Sequence, residues 1–169
     1  SHKLALRDFD SAVSLRPKQS RAYLYRGHAK KLLKDYNGAI KDYSEAARLE
    51  PKSKHAIYNR ARVHMSLKGW ERAVADFDIL IARAPKFPEA HLYRARALQQ
   101  QGNMKKALAG YSQAIRLRKK YAQAYYLRAL LYEKMFLEDE ARKDIAKAYR
   151  LKPKNKKVLA KAKALGVVK

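Results

Sequence analysis

Apolar and small residues recur along the chain at steps of three and four, the spacing that gathers them on one face of a helix. The same arrangement returns with a fixed period of about 34 residues. Ala5, Ala39, Ala73, Ala107 and Ala141 keep this interval, and so do Ala22, Ala56, Ala90 and Ala124. A large residue follows the first series in phase, at Phe9, Tyr43, Phe77, Tyr111 and Ile145. Pro17, Pro51 and Pro85 hold the same beat, which skips Lys119 and resumes at Pro153. Each period predicts two helices, the first over about 20–33 and the second over about 36–49, then the same pair three more times. Lys34-Asp35, Lys68-Gly69 and Gln101-Gly102-Asn103 supply turns within the pairs. The prolines close the second helices, because proline cannot continue a helix. A fixed period of this length means a repeat architecture. One helix pair cannot bury its own apolar faces, so stacking on its neighbours builds the core. The expected fold class is all-α, an α-solenoid of stacked antiparallel helix pairs.

Particular residues carry a resemblance. The second helix has a small–large–small set, Ala39, Tyr43 and Ala46, and closes on Pro51; the first helix has a small residue at Gly27, Ala61, Ala95 and Ala129. This resembles the tetratricopeptide repeat (TPR) family over nearly the whole chain, and the resemblance implies a right-handed α-solenoid. Three departures stand out: Arg replaces the usual aliphatic before the small residue, Leu80 replaces a small residue, and Lys119 replaces proline. The expected organisation is the second helix of a truncated repeat over 1–19, complete repeats over 20–53, 54–87, 88–121 and 122–155, and a C-terminal capping helix with a basic tail over 156–169. The chain begins Ser1-His2 without Met, as an internal fragment would. The face left by the missing first helix makes self-association through the N-terminal helix an expectation.

In the family, the first helices line a concave groove that holds extended peptides or helices of other proteins. Those positions fall here on Arg21, Leu24, Tyr25 and His28, then on His55, Tyr58, Asn59 and Arg62. In the later repeats they fall on Glu89, Leu92, Tyr93 and Arg96, then on Gln123, Tyr126, Leu127 and Leu130. Tyrosine offers a flat apolar face and a hydroxyl at low entropy cost. The resemblance therefore implies a peptide-binding groove of Arg21, Tyr25, His28, Tyr58, Asn59, Arg62, Tyr93, Arg96 and Tyr126. A subclass of the family clamps a chaperone's C-terminal carboxylates with Lys/Asn, Asn and Lys/Arg over three repeats. Only Asn59 fits that clamp, so this ligand is disfavoured.

Charge narrows the partner. Lys and Arg number 40 against 15 Asp and Glu, a net +25, while 47% apolar residues exclude wholesale disorder. The excess is uneven: residues 1–84 carry 18 basic and 9 acidic residues, residues 85–169 carry 22 and 6. Arg116, Arg118, Lys119 and Lys120 cluster at one inter-repeat turn, and Lys152, Lys154, Lys156 and Lys157 at the next. Stacking puts equivalent turns on one edge, so the clusters are expected to form a basic ridge. Such a field favours an acidic partner. The leading expectation is a non-catalytic scaffold that binds an acidic or aromatic-containing segment of another protein. The alternative is a basic solenoid that binds RNA or another polyanion, held by salt-sensitive contacts.

Four arginines keep the repeat phase. Arg26, Arg60, Arg94 and Arg128 have Asp42, Asp76, Gly110 and Asp144 at i+16, and Asp8, Asp42, Asp76 and Gly110 at i−18. Either spacing allows a ladder of internal ion pairs, which charged groups at a packed interface require. Other chemistry is sparse. The chain has no cysteine, which excludes disulfides and cysteine-ligated zinc. No phosphate loop or HExxH pair is present. His28, His55, His64 and His91 lack metal-ligand spacing, and Glu138-Asp139-Glu140 suits a helix N-terminus. No enzyme activity, metal or cofactor is expected. No apolar run approaches the ~20 residues of a membrane span and no secretory signal opens the chain, so membrane insertion is not expected and the expected location is the cytoplasm.

Overall fold

A computed structural model describes residues 2–169, with side chains from Leu4 onward. The chain divides into two compact units, Ser1–Pro85 and Lys86–Lys169. The first holds α1 (His2–Leu15), α2 (Ser20–Leu32), α3 (Tyr36–Leu49), α4 (Lys54–Ser66) and α5 (Trp70–Arg83). The second holds α6 (Pro88–Gln100), α7 (Met104–Leu117), α8 (Ala122–Lys134), α9 (Glu138–Leu151) and α10 (Lys156–Ala164). Among the described residues all regular structure is helical. Consecutive helices pack as hairpins, α2 on α3 and α4 on α5 in the first unit, α6 on α7 and α8 on α9 in the second.

The turn inside each hairpin is one device used four times. Lys34, Lys68, Gly102 and Phe136 stand one repeat period apart, and each has a left-handed backbone, with φ of 64°, 57°, 82° and 59°. Each closes a Schellman motif. In α2, the Asp35 N–H donates to Lys30 O at 2.9 Å and the Lys34 N–H to Lys31 O at 3.0 Å. Glycine suits this backbone and Phe136 does not; its ring is 91% exposed, so no packing offsets the strain. The second helices end without a left-handed residue: Glu50, Ala84, Arg118 and Lys152 cap them with φ of −133°, −141°, −137° and −144°. The α7 helix stops at the common position although Lys119 stands where the others have proline.

In the first unit Ala39, Tyr43 and Val63 form a buried cluster, with Leu24, Tyr36 and Ile40 packed against it. The fit is tight at Gly27, where an added Cβ would lie 2.8 Å from Tyr43 Cε1. Leu80 is fully buried, so the large residue at a usually small position belongs to the core. In the second unit Ala129, Ile145 and Ala162 form a cluster covered by Tyr126, Tyr149, Leu165, Val167 and Val168. Gly166, at φ 63°, turns the chain after α10, and the Val167 N–H donates to Ala162 O at 2.8 Å. The end of the chain thus folds back over the last helix and seals its apolar side.

Candidate functional site

Arg26, Arg60 and Arg128 are interior clips. Arg26 donates through Nε and Nη2 to both oxygens of Asp42, at 2.9 and 2.7 Å. Arg60 does the same to Asp76, at 3.0 and 2.6 Å. Arg128 repeats it on Asp144, at 2.6 and 2.8 Å. The carboxylate partner is therefore the residue at i+16. The alternative spacing, i−18, is not used: the remaining nitrogen reaches the residue at i−16. Arg26 Nη1 donates to Asp10 at 3.2 Å, Arg60 Nη1 to the Ser44 hydroxyl at 3.0 Å and Arg128 Nη1 to the Ser112 hydroxyl at 2.9 Å. The equal steps down and up the chain lead to the two second helices that flank each first helix, so one planar guanidinium ties three helices together. Asp42, Asp76 and Asp144 are buried. The hydrogen bonds to Asp42 and Asp144 push Arg26 and Arg128 further above the ordinary arginine range.

The first helices of the first unit carry aromatic and basic side chains side by side. The Tyr25 ring stacks on Phe9 with centroids 5.9 Å apart and meets His28 edge-on at 6.2 Å; His28 meets the buried Tyr43 at 5.6 Å. On α4, Arg62 donates to the Tyr58 hydroxyl at 3.1 Å and lies over its ring, which meets Phe77 edge-on. Asn59 donates to the His55 carbonyl within its own helix. Burial pushes His28 below the ordinary histidine range, with smaller contributions from Lys31 and His55. Burial and the charge of Arg62 likewise lower Lys31. These groups share one field, in which burial and neighbouring positive charge disfavour the protonated forms of His28 and Lys31. Arg21 is exposed.

The second unit contains a cavity of about 620 Å³. Five cations line it: Arg96 from α6, Arg118 and Lys120 from the turn before α8, Lys152 from the turn before α10 and Lys157 from the first turn of α10. Tyr121, Gln123, Tyr126, Leu127 and Asn155 complete the wall, which includes no carboxylate. Arg118 lies over the Tyr121 ring, 4.6 Å from its centroid, and donates to Glu89 Oε1 at 2.5 Å. Asn155 caps α10 by accepting from the Lys157 and Val158 N–H groups, at 3.1 and 3.2 Å. The N-terminal turn of α8 opens at Ala122 on the same wall and adds the positive end of its dipole.

Comparison with family models matches residues 58–120 to one tetratricopeptide repeat model and residues 20–53 and 122–155 to another. The chain belongs to the tetratricopeptide repeat family. TPR proteins generally mediate contacts between proteins, and the family is generally non-enzymatic. Comparison with curated proteins returns no match. Among solved structures, MamA from Desulfovibrio magneticus RS-1, beginning at its residue 41, is 18% identical with a TM-score of 0.83 over 92% of this chain and 88% of that one. TTC0263, a thermophilic TPR protein in Thermus thermophilus, is 20% identical with a TM-score of 0.79 over 99% and 91%. YrrB, described as a TPR protein with an unusual peptide-binding site, is 20% identical with a TM-score of 0.78 over 96% and 84%. At these identities the likeness establishes the all-α TPR solenoid fold.

Within this TPR chain the expected groove residues divide. Tyr25, His28, Tyr58, Asn59 and Arg62 lie on α2 and α4 with the contacts given above. Tyr93 is half-buried on α6, while Arg96 and Tyr126 line the cavity. Leu92, placed among the groove positions by the resemblance, is fully buried; its aliphatic side chain is core. The two basic clusters meet, but only in part. Arg118, Lys120, Lys152 and Lys157 line the cavity, whereas Arg116, Lys119, Lys154 and Lys156 are exposed and absent from its wall. Gln123, Tyr126 and Leu127, named among the groove positions, line the cavity; sequence reasoning missed Lys31, which shares the field of His28 and Arg62, and the polar lining residue Asn155. Asn155 had a signal, since Asn directly before a helix is a capping residue.

Proposed function

We propose that this chain is a non-catalytic scaffold that holds an acidic or aromatic-containing segment of another protein against the first helices of its repeats. The observation that carries the reading is the set of aromatic rings beside polar and basic groups on α2 and α4: the exposed Tyr25 beside the His28 imidazole, and the half-buried Tyr58 beneath Arg62, with Lys31 in the same field. An aromatic side chain of the segment gains a stacking surface there, and its carboxylates gain charge-assisted hydrogen bonds. The description of YrrB as a peptide-binding TPR protein supports the class of ligand. The repeats proposed are 20–53, 54–87, 88–121 and 122–155, and the proposed location is the cytoplasm.

A displayed library of random twelve-residue peptides tests this at near-physiological salt. Enriched sequences should combine Asp or Glu with Phe, Tyr or Trp, and Arg21→Glu with Arg62→Glu should weaken them at least tenfold while helical content stays the same. Enrichment of neutral or basic peptides, or binding indifferent to the double charge reversal, would overturn the reading.

A further inference from the structure

We propose that the cavity of the second unit is a binding site for a phosphate monoester. The cavity shares Arg96, Gln123, Tyr126 and Leu127 with the expected groove positions, but the inference rests on a separate observation from the α2 and α4 surface: the cations that the turns before α8 and α10 and the start of α10 bring together. Five cations face about 620 Å³ of space with no carboxylate on the wall. Arg118 is partly neutralised by Glu89. Among the described residues no ion pair holds Arg96, Lys120, Lys152 or Lys157. Such a convergence of like charges is opposed by its own repulsion unless an anion relieves it.

The number and directions of the donors select the anion. A single carboxylate neutralises one of the four unpaired cations. A phosphate monoester brings close to two charges at neutral pH and three acceptor oxygens, which can draw on donors from several sides at once. Arg96 approaches from α6, Lys120 from the turn before α8, Lys152 from the turn before α10 and Lys157 from the first turn of α10. Asn155 has committed its carbonyl oxygen to capping α10, so its amide N–H groups remain as donors. Tyr121, Tyr126 and Leu127 form an apolar side on which the carbon skeleton bearing the phosphate can rest. A phosphodiester chain carries one charge per phosphate and calls for a long basic track; here four of the eight ridge residues are off the wall. The monoester can come from a phosphorylated side chain of a partner or from a free small molecule.

The test uses the intact chain and nuclear magnetic resonance of the Gln123 and Asn155 side-chain amides. The probes are glycerol 3-phosphate, a nine-residue peptide containing phosphoserine, the same peptide with glutamate at that position, and an RNA hexamer without terminal phosphates. Glycerol 3-phosphate and the phosphopeptide should shift both amides saturably, at least tenfold more tightly than the glutamate peptide. Lys152→Gln with Lys157→Gln should weaken that binding at least tenfold. Lys105→Gln with Lys106→Gln, which removes the same charge from the start of α7, should change it less than twofold. A phosphopeptide that binds tenfold tighter than glycerol 3-phosphate assigns the site to a modified partner, and equal binding assigns it to a small phosphate ester. Equal binding of the glutamate peptide, tighter binding of the RNA hexamer, or equal loss in both double variants would overturn the site.

Discussion

Two sets of cations in this molecule live under opposite rules. Arg26, Arg60 and Arg128 are held bidentately by buried aspartates inside the helix stacks, while Arg96, Lys120, Lys152 and Lys157 face a cavity without a carboxylate on its wall. The difference follows from where the few acids are placed. Residues 85–169 contain six, and each has an assignment. Asp144 holds Arg128, Glu133 holds Lys161 and Glu89 holds Arg118. Glu138, Asp139 and Glu140 occupy the first turn of α9, where they complement the helix dipole. Among the described residues only Glu89 reaches a cavity cation, so the positive field of the cavity is what remains after packing and capping have taken the acids. A paired arginine is architecture; an unpaired cluster in a concavity is available for a ligand.

The strongest way to break this comparison is to remove a carboxylate from the interior set. Asp144→Ala leaves Arg128 between the rings of Tyr125 and Tyr132 with only Ser112 as a hydrogen-bond partner. Removing one member of a buried pair costs about 3–5 kcal/mol, and because the Arg128 side chain is 17% exposed a loss of about 2–3 kcal/mol is expected. Urea denaturation measures it, with Asp139→Ala on the exposed first turn of α9 as the control. If both variants lost the same stability, the clip across α7, α8 and α9 would not be holding those helices.

A smaller effect concerns the i+16 position of the third phased arginine. The i+16 position from Arg94 is Gly110 instead of aspartate, and an added Cβ there would lie 2.8 Å from Ala95 Cβ. The α6–α7 pair therefore exchanges its carboxylate for close approach of two helices. Gly110→Asp restores the sequence pattern, yet it should destabilise by roughly 1–3 kcal/mol, the usual cost of overpacking. A rise in stability on urea denaturation would show that the ion pair outweighs the contact, against the geometry.

The repeat was legible because its signal is redundant. Once per period the same small, large and turn positions return, and α2 and α3 occupy Ser20–Leu32 and Tyr36–Leu49 where the spacing predicts helices at 20–33 and 36–49. The arginine ladder was legible as a spacing but not as a choice between two, because the sequence does not say which way a guanidinium fork turns. That the third nitrogen reaches Asp10, Ser44 or Ser112 was hidden, since serine and aspartate share no obvious signature. Leu92 was misplaced because a position's phase tells which face of a helix it takes and not what covers that face. The cavity was half legible. Charge clusters at equivalent turns can be read from residue types, and Asn155 within one of them has a capping signal, but Arg96 joins them only through packing, which no local pattern encodes.

The smallest expected effect sharpens the comparison most. If Lys152 and Lys157 are free of structural duty, replacing both with glutamine should leave the fold intact, in contrast to Asp144→Ala. Surface substitutions without a packing or pairing role stay within about ±0.5 kcal/mol. The sign can be reasoned as well. The substitutions remove repulsion among cations on one wall, and that repulsion is strongest when few counterions screen it. Stability should therefore rise slightly at low ionic strength, by a few tenths of a kcal/mol, and the gain should fade at high salt. Urea denaturation at about 20 mM and about 500 mM salt, where the screening length differs severalfold, measures both the size and the fading. A loss of more than about 1 kcal/mol at either salt would lie outside what a surface charge does. It would mean that Lys152 or Lys157 packs or pairs as the interior arginines do, and that the two sets of cations obey one rule.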